Sequence, residues 1–251
     1  MRRLLLIALL AALPAKAAPT LCPEHFAGGQ APNVAPRLAT GVRALCFRAF
    51  AVLHSPISRT ALYSAEHLTA ARIRSARNTP RDSEFRAERA LPPGERAELS
   101  DYARSGFDRG HLAPSGDMPD PVSQEESFSL ANIIPQAPAL NRGLWEGIES
   151  AVRTLAVREG ELYVVTGPIF AGAELDQVGD VLVPTSVWKA VLDPRRGRAS
   201  AYVAENRDDA SWRSVSMAQL RRLTGVDVFP GVSAWRLRLP NPTPTRPGAR
   251  R

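Results

Sequence analysis

Cysteine is nearly absent: the 251 residues contain only Cys22 and Cys46, with no CxxC spacing. Two cysteines so placed cannot by themselves build a structural zinc site. Long hydrophobic runs are missing as well. The run from Leu4 to Leu13 is half the roughly twenty apolar residues that a membrane span needs, so a membrane-embedded class is set aside. No internal repeat and no long linker divides the chain, which excludes solenoids and points to one domain. A strong excess of one charge is also lacking. The formal net charge is +7; without residues 1–17, which hold Arg2, Arg3 and Lys16 and no acid, it falls to 29 basic minus 25 acidic, or +4. That suits a polyanionic partner but does not by itself identify one.

What the chain does have begins with its first seventeen residues. Two arginines precede the apolar run, and Ala15-Lys16-Ala17 closes it, the layout of a secretory signal peptide. Secretion or periplasmic export is therefore expected, with residues 18–238 as the domain and 239–251 as a disordered basic tail. Lipid attachment at Cys22 is excluded, because the bulky Leu21 precedes it. In an oxidising compartment Cys22 and Cys46 are expected to form a disulfide; two free buried thiols are the alternative.

Residues 18–45 are rich in Ala, Gly and Pro and read as irregular. Residues 44–53 read as a first strand with His54-Ser55-Pro56 as its turn, and Leu62-Tyr63 with Glu66 to Ile73 as further strand. A polar, proline-marked loop follows from Arg77 to Arg96. Pro121 to Ala131 suggests a short helix and Asn141 to Arg158 a longer one, with Leu144, Ile148, Val152 and Leu155 at helical spacing. ELYVVTGPIF, DVLVPTSVWKAVLD and RASAYVAEN read as central strands, and Met217 to Leu223 as a short helix.

Two segments carry chemistry. Asp108-Arg109-Gly110-His111 sets a carboxylate, a guanidinium and an imidazole within four positions, with a glycine that permits a tight backbone path. Alone, such residues are as well explained by a structural histidine and a salt bridge. Further on, Asn141, Trp145, Glu149 and Arg153 are each four apart. At about 100° per residue this row follows one helix flank and turns slowly away from the apolar stripe. A solvated flank with a Glu149–Arg153 ion pair is the plain alternative.

Together these segments resemble the DNA/RNA non-specific endonuclease family, the ββα-metal nucleases that include bacterial secreted nucleases and mitochondrial endonuclease G. The family pattern runs from an arginine before an aromatic (Arg81 to Phe85), through DRGH (Asp108 to His111) and N-I-x-P-Q (Asn132 to Gln136), to Asn141, Trp145 and Glu149. ELYVVTGPIF and VPTSVWKAVL also look like the family's, so the likeness spans most of residues 45–231. Ala131 stands where a serine is common. Arg77, Arg81 and Arg86 compete for the loop position, and Arg81, four before Phe85, fits best.

The resemblance implies an α+β fold, a central antiparallel sheet with flanking helices, long loops and the ββα-metal (His-Me finger) motif. It implies hydrolysis of DNA and RNA phosphodiesters to 5′-phosphate products, with His111 as general base and Asn141 anchoring Mg2+, for which Mn2+ or another divalent ion can substitute. His111, neutral at pH 7 by its ordinary pKa, can accept a proton from water, its tautomer fixed by a neighbouring carbonyl or side chain. Arg81, Arg109 and Arg153 are expected to hold the phosphate and Glu149 to orient a metal-bound water and Arg153. Asp108 then orients and Asn132 braces the loop. Nucleic acid is the expected partner, no membrane is, and a homodimer and an inhibitor protein stay open. Two other classes also remain: a metal-dependent phosphodiesterase acting on small nucleotides, and a non-catalytic nucleic-acid-binding homologue.

Overall fold

The computed structural model describes residues 20–244 apart from Asp82; the expected signal peptide and residues 245–251 lie outside that range. The strands that matter are β1 (Arg43–Cys46), β2 (Ala51–Ser55), β3 (Thr60–Thr69), β4 (Asp108–His111) and β5 (Ile133–Gln136), followed by β6 (Glu161–Ile169), β7 (Ser186–Asp193), β8 (Arg198–Glu205), β9 (Trp212–Val215) and β10 (Trp235–Arg236). The helices are α1 (Ala70–Ala76), α2 (Pro121–Ser127), α3 (Glu146–Glu159) and α4 (Met217–Thr224), and a π-helical segment, Leu140–Trp145, leads directly into α3.

The main sheet runs β9-β8-β7-β6-β3-β2-β1 with antiparallel neighbours, and β10 lies parallel to β8. Both of its faces are buried, which explains why its central strands read as almost unbroken apolar runs. Successive side chains of a strand point to opposite faces. Thus Leu162, Val164, Val187 and Val191 join one core with Ile148, Val152 and Leu155 of α3, while Val165, Trp188, Ala190 and Leu192 join a second core with Phe26, Leu220 and Phe229. β4 and β5 form a separate two-stranded ribbon. With the helix that follows it, the ribbon makes the ββα unit, and the fold is α+β as expected.

Three expectations about local structure need correction. Residues 44–53 are not one strand but a hairpin, in which the Phe47 N–H donates to the Phe50 carbonyl at 2.9 Å and the two rings stack at 4.5 Å. Aromatic packing closes that turn without glycine or proline. Residues 70–76 are helical: Thr69 caps the helix by accepting from the Arg72 N–H, and the alanines and arginines that follow are good helix formers. The third concerns the tail, which was expected to be disordered from Leu239. Leu239 is buried in the core, and the Tyr202 hydroxyl donates to the Pro240 carbonyl at 2.7 Å.

The helix ends where expected. Gly160, at φ 89°, donates its N–H to the Ala156 carbonyl and turns the chain into β6. Cys22 and Cys46 are joined in a disulfide, which pins the N-terminal segment to the edge strand β1.

Candidate active site

In the ribbon His111 pairs with Ile133 and Asp108 with Gln136. Gly110 is needed there for space and not for a turn. A Cβ at that position would collide with the Gln136 side chain. Behind the ribbon, Asn132 is fully buried and uses every hydrogen bond its amide can reach. Nδ2 donates to the carbonyls of Ala113 (2.8 Å) and Ser127 (3.0 Å), and Oδ1 accepts from the Ala113 N–H (2.9 Å) and the Ser64 hydroxyl (2.8 Å). Asn132 therefore ties down the chain just after His111.

His111 sits between two aromatic rings, with Phe128 edge-on at 4.9 Å and Phe85 tilted at 5.4 Å. Phe85 reaches it because the neighbouring Arg86 is tied down: the Arg86 N–H donates to the Phe128 carbonyl, and the Arg86 carbonyl accepts from the Leu130 N–H. Burial, reinforced by the charge of Arg81, lowers the imidazole pKa to about 3. The ring is thus neutral at pH 7. Its Nε2 is buried and has no hydrogen-bond partner among the described residues, so the expected tautomer-fixing neighbour is not found at that nitrogen.

The same two rings carry the arginines. The Arg109 guanidinium lies 4.7 Å from the centre of Phe85, and that of Arg81 lies 5.6 Å from Phe128. Of the three competing loop arginines, only Arg81 lines the cleft. Arg86 instead donates to the Glu125 carbonyl at 2.6 Å, and Arg77 is the exposed C-cap of α1.

Across the cleft, the Asn141 Nδ2 donates to Asp108 Oδ2 at 2.9 Å. Arg142 grips the same carboxylate with two further bonds, 2.8 Å from Nε and 2.5 Å from Nη2. Burial pushes the Asp108 pKa up, but these donors outweigh it and hold the carboxyl below its ordinary range. Farther along, Arg153 Nη1 donates to the buried Asp117 at 3.1 Å, and Nη2 lies 3.8 Å from Glu146. The Glu149–Arg153 ion pair of the plainer, solvated-flank reading is not formed; Asp117 has taken the guanidinium. Burial raises the Glu149 pKa to about 7 against the pull of Lys189 and Arg153.

All the sequence-predicted residues except Asn132 and the two cysteines thus meet in one cleft of about 570 Å³. The row spaced by four does not hold together. Trp145 is buried in the core, because it lies three residues before Ile148 and seven before Val152 and so belongs to the apolar stripe of the helix. The face that lines the cleft is Arg142, Glu146, Glu149 and Arg153, spaced four, three and four. That alternation keeps residues on one face, and it was the signal by which Arg142 and Glu146 could have been found. Asp117 carried no such signal, since a loop places it.

A two-stranded ribbon ending in a buried histidine, crossed by a helix that opens on a clamped asparagine, with arginines on both sides, is the ββα arrangement of the metal nucleases. The chain belongs to the DNA/RNA non-specific endonuclease family, which it matches over residues 29–234. It is 33% identical over 168 residues to Nuclease C1 of Cunninghamella echinulata var. echinulata, covering 62% of this chain and 67% of that one. A nuclease of Nostoc sp. is 36% identical over 174 residues (62% and 63%), and the mitochondrial endonuclease G of Bos taurus is 35% identical over 169 (66% and 56%). The chain thus spans about two thirds or less of the length of these curated relatives. A chain of the solved EndoG/EndoGI complex, a structure of EndoG inhibition, superposes with a TM-score of 0.70 at 25% identity, covering 76% of this chain and 86% of that one.

Proposed function

We propose that this protein is an exported, divalent-metal-dependent endonuclease that hydrolyses phosphodiester bonds of DNA and RNA and leaves 5′-phosphate ends. The observation that carries the reading is the pairing of a buried neutral imidazole, His111, with a clamped carboxamide, Asn141, in one arginine-lined cleft. The disulfide supports export, since such bonds persist in oxidising compartments.

The residues fit a hard divalent ion such as Mg2+ or Mn2+. With Asn141 Nδ2 engaged by Asp108, the amide cannot flip, and its carbonyl oxygen is left for a ligand. Glu146 adds a buried Oε2 with no partner, and no group of three His, Cys, Asp or Glu side chains among the described residues forms an alternative cage. An ion held by few protein oxygens keeps much of its water, as Mg2+ commonly does. When bound it supplies charge that offsets the negative phosphate oxygens and the departing 3′ oxygen.

The chain's own groups do the rest. His111 accepts a proton as a water oxygen forms its bond to phosphorus, and the bond from phosphorus to the 3′ oxygen breaks. Arg81, Arg109 and Arg153 hold the phosphate oxygens, for which the planar guanidinium is well shaped. Asp108 and Glu149 orient their neighbours. Phosphate-directed contacts carry no base code, which accounts for weak sequence preference.

The test is conversion of closed-circular plasmid to nicked and linear forms, together with breakdown of ribosomal RNA, in Mg2+ and not in EDTA. Plasmid left closed at high enzyme with Mg2+ would overturn the reading.

A further inference from the structure

Apart from Lys16, the chain contains a single lysine, Lys189, against thirty arginines. It is also one of the most deeply buried side chains, 1% exposed, in the middle of β7, an interior strand of the sheet. The alternation of that strand puts it on the face turned toward α3 and the ribbon, with Val187 and Val191. Thr166 of β6 is its partner across the strands.

An ammonium in such a place is costly to desolvate, and buried ion pairs are weak stabilisers. A methionine of similar length would fill the volume without that cost. Glu66 and Glu149 both feel the positive charge, but that does not explain why the charge is there.

Its contacts do. Nζ donates to the Thr166 hydroxyl at 2.6 Å and to the Leu112 carbonyl at 3.2 Å, and it lies 5.8 Å from the centre of the Trp145 ring. Leu112 immediately follows His111, and its N–H is already held by the Asn132 carbonyl at 3.0 Å. Trp145 lies four residues after Asn141, at the end of the π-helical segment. One side chain, anchored on the sheet, thus touches the strand that carries the imidazole and the helix start that carries the carboxamide.

We propose that Lys189 is a positioning residue, a strut from the central sheet that fixes His111 and Asn141 relative to each other. The inference rests on the nuclease reading above. An ammonium suits the task better than a guanidinium, because its donors radiate from one compact atom to three differently placed partners.

The test compares the full-length wild type, Lys189→Met, Lys189→Gln and His111→Ala by melting, nucleic-acid binding in EDTA and steady-state cleavage in Mg2+. Loss of alignment of about 1 Å costs on the order of 10²-fold. Lys189→Met, while folded, is expected to lose about 10- to 100-fold in kcat with KM and affinity within about threefold of wild type. Lys189→Gln, which keeps a donor for Leu112, is expected to recover part of that loss. Wild-type kcat in folded Lys189→Met overturns the proposal, as do parallel losses in kcat and affinity. If the methionine variant does not fold, the glutamine variant decides by the same criteria, and failure of both to fold overturns the proposal by making Lys189 a folding residue. Absence of cleavage by the wild type in Mg2+ would instead sink the nuclease reading, and a wild-type rate in His111→Ala would sink the His111 assignment, so both failures are read apart from that of Lys189.

Discussion

Asn141 and Asp108 are joined by a 2.9 Å hydrogen bond in which the amide nitrogen donates and the carboxylate accepts. The bond runs between the first turn of the crossing helix and the first residue of the ribbon, so the orientation of the carboxamide depends on the protonation and charge of its partner. The sequence alone suggests that Asn141→Asp keeps a ligand oxygen and hence some activity. With Asp108 in contact, the same substitution sets two carboxylates against each other.

Asn141→Asp is therefore expected to lose most plasmid cleavage, although Arg142 offsets part of the repulsion. In the exchanged pair, Asp108→Asn with Asn141→Asp, position 108 donates and position 141 accepts. That double variant should cleave at least tenfold faster than Asn141→Asp alone, on the order of the 1.4 kcal/mol coupling expected of neighbouring polar groups. Strictly additive effects in this cycle would show that the bond does not orient the amide.

His111 should leave a signature in the pH dependence of stability. Its pKa is about 3 when folded, while the unfolded imidazole titrates near 6.5. Between those values the unfolded chain holds a proton that the folded chain lacks, so stability falls as pH drops through that window. Glu66 and Glu149, raised to about 8 and about 7, act in the opposite sense. They hold protons in the folded state that the unfolded chain has released, and they lose stability as pH rises toward those values. Comparison with His111→Gln isolates the histidine. Between pH 7 and pH 5 the unfolding free energy of wild type relative to this variant should fall by about 2 kcal/mol. Urea unfolding at the two pH values measures it, and an unchanged difference would mean that His111 is not held neutral by burial. The same variant should lose about 10²- to 10⁴-fold in turnover with affinity nearly unchanged.

The disulfide closes 24 residues of sequence separation and lines no part of the cleft. Constraint of the unfolded chain by a loop of that size contributes about 3 kcal/mol. Urea unfolding with and without reductant should show that loss, and the fraction still folded after reduction should cleave with wild-type kcat. Equal midpoints in both conditions would remove the bridge from the account of stability.

The sequence by itself determined the pieces whose geometry is local. The apolar spacing of Ile148, Val152 and Leu155 fixes a helix against a core, and the three long apolar runs demand a sheet buried on both faces. Those are matters of period and propensity, readable without knowing what lies opposite. The tertiary structure decided what depends on a partner distant in sequence. Arg81 and not Arg86 faces the cleft because the backbone of Arg86 is stapled to residues 128 and 130. Arg153 turns to Asp117 and not to Glu149, because a loop brings a buried carboxylate to it. Lys189 interrupts an apolar run in the sequence without explanation. Its reason exists only where the sheet, the ribbon and the helix meet, since one ammonium can serve three partners only after folding has brought them within reach of a single atom.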